Sequence, residues 1–457
     1  MDSTRSASLT ATSSYAPTKN LRRIGLAPFV ALLFAYCTGG PFSLESMVSG
    51  SGPGLGLTFL IVVPFLFSVP ISMATAEMTT VMPVEGGFYR WSRAALGDFW
   101  GFQCGWWNWT GSFLMSASYG VAMADYMEDW LPVHSRVEHW AVAFALLLIV
   151  AYLNMRGIHV VGQLTLILLL VMAVPLLIFT ILGFHHAQFN PFHPFFPTGK
   201  PWQGAFGVGL AIAMWTYAGY EQLSTVIEEV ENPARNFVIG LAIVIPLSIA
   251  TYVLTMSAGL AALGNWQEWE TGYLVTAARL VGGNLLGTSI FVAAVIANFV
   301  LLDSTLLSVT RLPLTMAEDG YFHPGLGKVS ERFGTPVRSI VLSTALCAGL
   351  ALFTVPQLIA VYAWTRMATS IQTMLSFWQF RRRYPDAPRS FRAPGGWLGA
   401  SAMVIAPTLL FAWAMIYSDV ATRKWGLLNL ASGPVAYLWV RYRRRARMGV
   451  QPGTMAS

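Results

Sequence analysis

Four ionisable residues, Glu45, Glu221, Asp303 and Arg366, fall inside long apolar runs of the chain. A charge near the centre of a bilayer costs at least about 2.5 kcal/mol, so such residues pair, line a water-filled cavity or carry ions and substrates. Two of the acids follow an interruption. The stretch Phe34-Ala35-Tyr36-Cys37-Thr38-Gly39-Gly40-Pro41-Phe42-Ser43-Leu44-Glu45 sets Gly-Gly-Pro in an apolar run from Ile24 to Val48. The second stretch, Ala213-Met214-Trp215-Thr216-Tyr217-Ala218-Gly219-Tyr220-Glu221, places aromatic and small residues before its carboxylate. Unwound backbone is tolerated in hydrocarbon only where protein buries it or it lines a cavity. Each stretch alone also fits a kink with a glutamate near the interface, or a glycine that packs helices closely. Together they open two similar halves, roughly residues 24–184 and 204–380, and paired interruptions point to a central binding site between repeats.

The other polar candidates leave alternatives open. Asp303 and Arg366 each need a partner at membrane depth, which an internal ion pair of Arg366 with Asp303 or Glu221 would supply. The competing role is proton coupling, for which Glu45, Glu221, Asp303 and Arg366 are the candidates. Trp106, Trp107 and Trp109 are either interfacial anchors or an aromatic wall for a cation. His185, His186 and His193 lack the fixed spacing of a metal site. Cys37, Cys104 and Cys347 all fall within apolar spans, so no disulfide framework or cysteine metal site is expected.

The elements that must hold these residues are membrane helices. Hydrophobic residues make up 55% of the chain and charged ones only 11%. At roughly 20 residues per span, the expectation is an all-α polytopic membrane protein of about twelve transmembrane helices. They fall roughly at 24–49, 55–79, 99–126, 138–154, 159–184, 204–227, 237–263, 285–313, 338–354, 357–380, 397–418 and 424–440. Residues 1–22 are polar, lack the short apolar core of a cleavable signal and are expected to form a disordered tail. A transport core over 23–380 follows, then helices 11 and 12 with a basic loop over 381–441, and a basic tail over 442–457. The net charge of +7 is read as topology. Arginines and lysines gather at both ends and in every second loop, while the alternate loops hold Arg136, Lys200, Arg279, Arg423 and Lys424. By the positive-inside rule both termini are expected to be cytoplasmic. Gly86-Gly87 leads into an aromatic and basic stretch that suits a short helix at the headgroup level.

Three separated motifs carry a family resemblance. The first runs from Ala76-Glu77 through Pro83 and Gly86-Gly87 to Tyr89 and Gly97. The second is Glu229-Val230-Glu231-Asn232-Pro233, and the third joins Arg311 to Ala317-Glu318-Asp319-Gly320. In this order around the spans, they resemble the amino acid–polyamine–organocation (APC) superfamily over essentially the whole chain. The resemblance implies a LeuT-like five-plus-five inverted repeat with broken helices 1 and 6, and alternating access to a substrate held between them. Where many amino-acid permeases of that superfamily have a small-residue Gly-Ser/Ala-Gly motif, this chain has Thr38-Gly39-Gly40-Pro41-Phe42 followed by Glu45. That pattern, Glu221 and the Gly105-Trp106 start of the third span are similar to the polyamine-uptake branch. The resemblance implies that Glu45 and Glu221 bind ammonium groups, that Trp215, Tyr217 and Tyr220 form aromatic walls, and that Thr38, Gly39, Gly40 and Gly219 shape the site.

The chemistry agrees in part. A flexible polycation needs spaced carboxylates and aromatic faces, whereas a zwitterionic amino acid needs an anion-binding helix N-terminus and one acceptor. The expectation is a secondary active transporter of the plasma (inner) membrane, importing a polyamine or cationic amino acid, with proton symport. A neutral amino-acid permease or an exchanger of the same fold is the alternative. Expected partners are the small-molecule substrate, the coupling proton and the lipid bilayer, without nucleic acid, as a monomer or homodimer. No metal and no cofactor is expected. An enzyme is not expected, because no metal-ligand spacing, nucleophile elbow or phosphate loop is present.

Overall fold

The computed structural model describes residues 23–127, 135–197, 202–353, 355–416 and 420–447. The expected N-terminal tail over 1–22, Lys200 and the last ten residues of the C-terminal tail lie outside them. The described residues are nearly all helical, with one isolated β-bridge between Ile24 and Val230. The helices are α1 (Leu26–Cys37), α2 (Glu45–Ser51), α3 (Pro53–Val81), α4 (Gly87–Leu96), α5 (Asp98–Met127), α6 (Arg136–Arg156) and α7 (Ile158–His185). After these come α8 (Trp202–Thr216), α9 (Pro233–Ala262), α10 (Tyr273–Val309), α11 (Arg311–Glu318), α12 (Val337–Leu350), α13 (Val355–Arg383), α14 (Gly396–Ile416) and α15 (Val420–Arg447).

Among the described residues, six stretches are long and apolar enough to cross a membrane: α3, α6, α7, α9, α10 continued through α11, and the Gly396–Trp413 part of α14. The protein is therefore an integral membrane protein. On α7 the side chains of Leu169, Met172, Leu176 and Phe179 are buried, while Leu170, Val174, Leu177 and Ile181 are exposed. A helix that is apolar on its solvent side as well as its packed side is at home in lipid. α1 and α12 are apolar but shorter. α5 and α13 have the length but carry polar residues inside the protein, among them Gln103, Asn108, Arg366 and Gln372.

Several boundaries differ from the sequence expectation. α10 starts at Tyr273, well before residue 285, and bends at Gly283, whose φ of 79° lies in the left-handed region. α15 continues to Arg447, so the tail expected from residue 442 begins as helix. α4 starts at Gly87 with Gly86 before it, but Phe88, Tyr89, Arg90 and Trp91 are buried in protein, and the helix does not lie open at a headgroup surface. A β-carbon on Gly87 would sit 2.0 Å from Ser224 Oγ, so only glycine permits this approach.

The motif residues tie helix ends together on one side. Glu77 accepts from Arg381 (2.6 Å), Arg389 (3.0 Å) and the Ala393 amide (2.8 Å). Arg311 grips both oxygens of Glu229, at 2.9 and 3.3 Å. Arg90 pairs with Glu318, and Asp319 binds both Arg93 and the Tyr89 hydroxyl. The buried Glu77 and Glu229 each meet a guanidinium fork, the arrangement that makes a desolvated charge tolerable.

Two apolar clusters form the interior. One holds Phe29, Leu32, Tyr36 and Cys37 of α1 with Tyr220, and the other holds Leu44, Met214, Tyr217 and Tyr252. Each interrupted stretch thus passes from one cluster to the other. The interruptions lie where the two bodies of packing meet.

Candidate functional site

α1 and α8 both end inside the protein. After Cys37 the chain turns through Gly39 (φ 55°), Gly40 (φ 91°) and Ser43 (φ 73°) before α2 begins at Glu45. Pro41 offers no amide to continue the helix, and the glycines adopt a conformation that most residues avoid. After Thr216 the chain leaves the helix until a 3-10 segment, Gln222–Glu229, and Gly219 sits at φ 127°. A β-carbon there would stand 3.0 Å from the Tyr36 ring, so the two interruptions touch.

Neighbouring helices satisfy the freed backbone. Pro64 of α3 cannot donate to the carbonyl of Leu60, and the Tyr217 hydroxyl fills that place at 2.7 Å. Ser68 donates in return to Tyr217 O at 2.8 Å. The Tyr252 hydroxyl of α9 lies 2.9 Å from Thr38 O and 3.4 Å from Thr216 O, at the carbonyl ends of both α1 and α8. Thr38 Oγ1 also bonds Ser248 Oγ. Tyr252→Phe should therefore loosen both helix ends and lower transport about tenfold without loss of expression, a change of about 1.4 kcal/mol. Uptake by purified, reconstituted protein checks this; an unchanged rate would remove Tyr252 from the site.

A cavity opens at this junction. Tyr36, Thr38, Gly39 and Gly40 border it from the first interruption, and Trp215, Thr216 and Ala218 from the second. Met115, Ser118 and Tyr119 of α5, Tyr252 of α9, Asn298 and Leu301 of α10, and Tyr362 of α13 are among its other lining residues. The C-terminal turns of two helices thus face the same space, and helix C-termini carry partial negative charge. Five aromatic side chains with polar tips, Tyr36, Tyr119, Trp215, Tyr252 and Tyr362, stand around it. Such a lining suits an alkylammonium.

The expected site residues are divided by the fold. Thr38, Gly39, Gly40 and Trp215 border the cavity. Tyr217 does not; its hydroxyl is occupied at Leu60. Gly219 and Tyr220 are buried beside Tyr36 and in the α1 cluster. Glu45 is also set back: it is buried, and the amide of Leu274, in the first turn of α10, donates to its Oε1 at 3.3 Å. A carboxylate at a helix N-terminus meets the partial positive charge there, so its place caps α10 as it starts α2.

Glu221 lies just beyond Ala218 and takes the Arg366 guanidinium at 2.9 Å and the Ser370 hydroxyl at 2.8 Å. Of the two acids considered for Arg366, Glu221 is its partner. Asp303 instead receives the Asn154 amide at 2.6 Å and does not border the cavity. The indoles of Trp106 and Trp107 bond Ser432 and Leu430 of α15, and Trp109 packs on Phe113, so none of the three walls the cavity. Tyr119, Tyr252, Tyr362, Ser370 and Asn154 were not singled out by sequence. The signal was present for the tyrosines, since a hydroxyl in the middle of an apolar helix requires a partner or a cavity.

The family match spans nearly all of this architecture: residues 28–440 fit the family described as amino acid permease. The chain belongs to that family. The permease thus falls in the APC superfamily, as its motifs imply. It is 30% identical over 430 residues to the polyamine transporter RMV1 of Arabidopsis thaliana, covering 92% of this chain and 85% of that protein. To the polyamine transporter PUT1 of Oryza sativa subsp. japonica it is 28% identical over 449 residues, covering 94% and 81%. An uncharacterized transporter of Mycobacterium tuberculosis is 28% identical over 341 residues, 73% of this chain and 74% of that one. The permease is a membrane transporter and not an enzyme.

Proposed function

We propose that the permease carries polyamines, or an organic cation of similar chemistry, into the cell across the plasma (inner) membrane. The observation that carries this reading is the cavity lining: two helix C-termini and five polar aromatic side chains around one space. A polyamine presents ammonium groups joined by methylene chains, and carbonyl ends and aromatic faces meet both parts. The names of the plant relatives support the same substrate class.

The mechanism proposed is alternating access in a twelve-span, five-plus-five inverted repeat. α1 with α2, and α8 with the 3-10 segment after it, are its two broken helices, and both termini are cytoplasmic. Buried Glu45 and Asp303 are the proposed proton carriers for symport, while Glu221 is held by Arg366. The competing substrate is a neutral amino acid, favoured by the open backbone at Thr38, Gly39 and Gly40 along the cavity wall. A thermal-shift screen on detergent-purified protein separates the two, because a ligand that binds only the native state raises apparent stability. Putrescine, spermidine, arginine, leucine and glutamate would be set side by side. Stabilisation by spermidine and putrescine supports the proposal; stabilisation by leucine alone overturns it in favour of a carboxylate cradle at Gly39 and Gly40.

A further inference from the structure

Beneath the cavity lies an ion pair with open valences. On α13, Tyr362, Arg366 and Ser370 recur every four residues and so share one helix face. Tyr362 borders the cavity. Arg366 and Ser370, one and two turns nearer the basic end of the helix, both reach Glu221 Oε1. Glu221 comes from the second interruption, three residues past the cavity residue Ala218. Both charged side chains are buried, yet Glu221 Oε2, Arg366 Nε and Arg366 Nη2 have no hydrogen-bond partner among the described residues, so Nη2 meets Oε1 as an ion pair alone. Tyr36 and Tyr119 border the same cavity as Tyr362.

Stability alone is a poor explanation for such a pair. Apolar residues of similar volume often serve a buried site as well or better, and a half-satisfied polar network is worse than none. Unfilled acceptor and donor positions beside a cavity suit a pair that opens.

We infer that Arg366 is a built-in stand-in for the substrate's cation, holding Glu221 while the cavity is empty and yielding it to an ammonium group when substrate binds. This deepens the proposed function and rests on it. A guanidinium and an alkylammonium each bring one positive charge and several N–H donors to the carboxylate. The exchange of one for the other keeps Glu221 compensated in both states, so neither the empty nor the loaded carrier buries a bare carboxylate. The pair also joins α13 to the second interruption on the basic side of the cavity. Its opening releases that floor, which links occupancy of the cavity to movement of the two elements.

The test uses full-length protein in proteoliposomes with radiolabelled spermidine, for wild type, R366Q, R366K and E221Q/R366Q. Equilibrium binding is measured beside net uptake into empty vesicles and exchange into spermidine-loaded ones. If the pair is closed in about nine of ten empty carriers, R366Q binds spermidine about tenfold more tightly. R366Q also keeps exchange but loses net uptake by about tenfold or more, because the same bias now opposes the return of an empty carrier with bare Glu221. R366K, which keeps a cation at the place, restores net uptake. Unchanged or weakened spermidine binding in folded R366Q, or equal loss of exchange and net uptake, overturns the inference. Should R366Q fail to fold, E221Q/R366Q carries the test, since it keeps the shape without the charges. Loss of spermidine binding in this double variant supports Glu221 as the acceptor, and wild-type affinity overturns it. Wild-type protein that binds no polyamine sinks the substrate proposal and this inference together. Wild-type polyamine binding with an unaltered R366Q sinks the inference alone.

Discussion

Glu221→Gln is expected to reduce spermidine uptake by more than about a hundredfold, the loss that follows when one partner of a buried charged contact is truncated. It should also destabilise the permease. Arg366 would be left buried without its counter-charge, at a cost of about 3–5 kcal/mol. The pairing therefore changes how this variant is to be judged, because loss of transport alone would not distinguish a lost binding group from a damaged fold. The double variant E221Q/R366Q removes both charges and should recover most of the thermal stability. It should not recover transport, since no carboxylate is left at the place. Thermal denaturation in detergent and uptake in proteoliposomes, measured on the same preparations, check both parts. Wild-type transport by the double variant would exclude Glu221 from the substrate path.

Gly40→Leu is expected to abolish transport of every substrate. Gly40 has a φ of 91°, outside the range that an L-residue adopts readily, and its β-carbon would stand 2.9 Å from the Phe42 ring. Resetting that turn costs about 1–3 kcal/mol, and the leucine side chain has only the Phe42 side or the cavity to enter. The variant should still insert, because the apolar character of the stretch is unchanged. Surface expression with no uptake of spermidine, putrescine or leucine is the expected result. Retained uptake of any of these would place the substrate path away from the first interruption. At Gly39 a β-carbon would overlap Leu301 at Cδ1 (2.3 Å), Cγ (2.5 Å) and Cδ2 (2.9 Å), so that neighbour must shift for any residue larger than glycine.

What the sequence determined by itself was the set of local conflicts. Apolar composition and run length require a membrane protein, because such surface has no other solvent. Gly39-Gly40-Pro41 must end a helix whatever surrounds it, since the glycines favour unwinding and the proline has no amide to donate. The motifs around Glu77, Glu229, Arg311 and Asp319 were legible as a family resemblance, and their pairing was not read from the sequence. Charged residues flanking apolar helices have few ways to be satisfied, and in the structure they pair with one another.

Only the tertiary structure decided which polar groups face one another. Glu45 and Glu221 look alike in sequence, each just beyond an interruption, yet one caps α10 and the other holds Arg366 from a helix far along the chain. Tyr217 is turned away from the cavity by a carbonyl that Pro64 leaves free, while Tyr252 and Tyr362 are turned toward it. A residue's own run shows that it needs a partner. Which partner it finds depends on how helices distant in sequence pack, and a rotation of one helix by a single position moves a side chain about 100° around its axis.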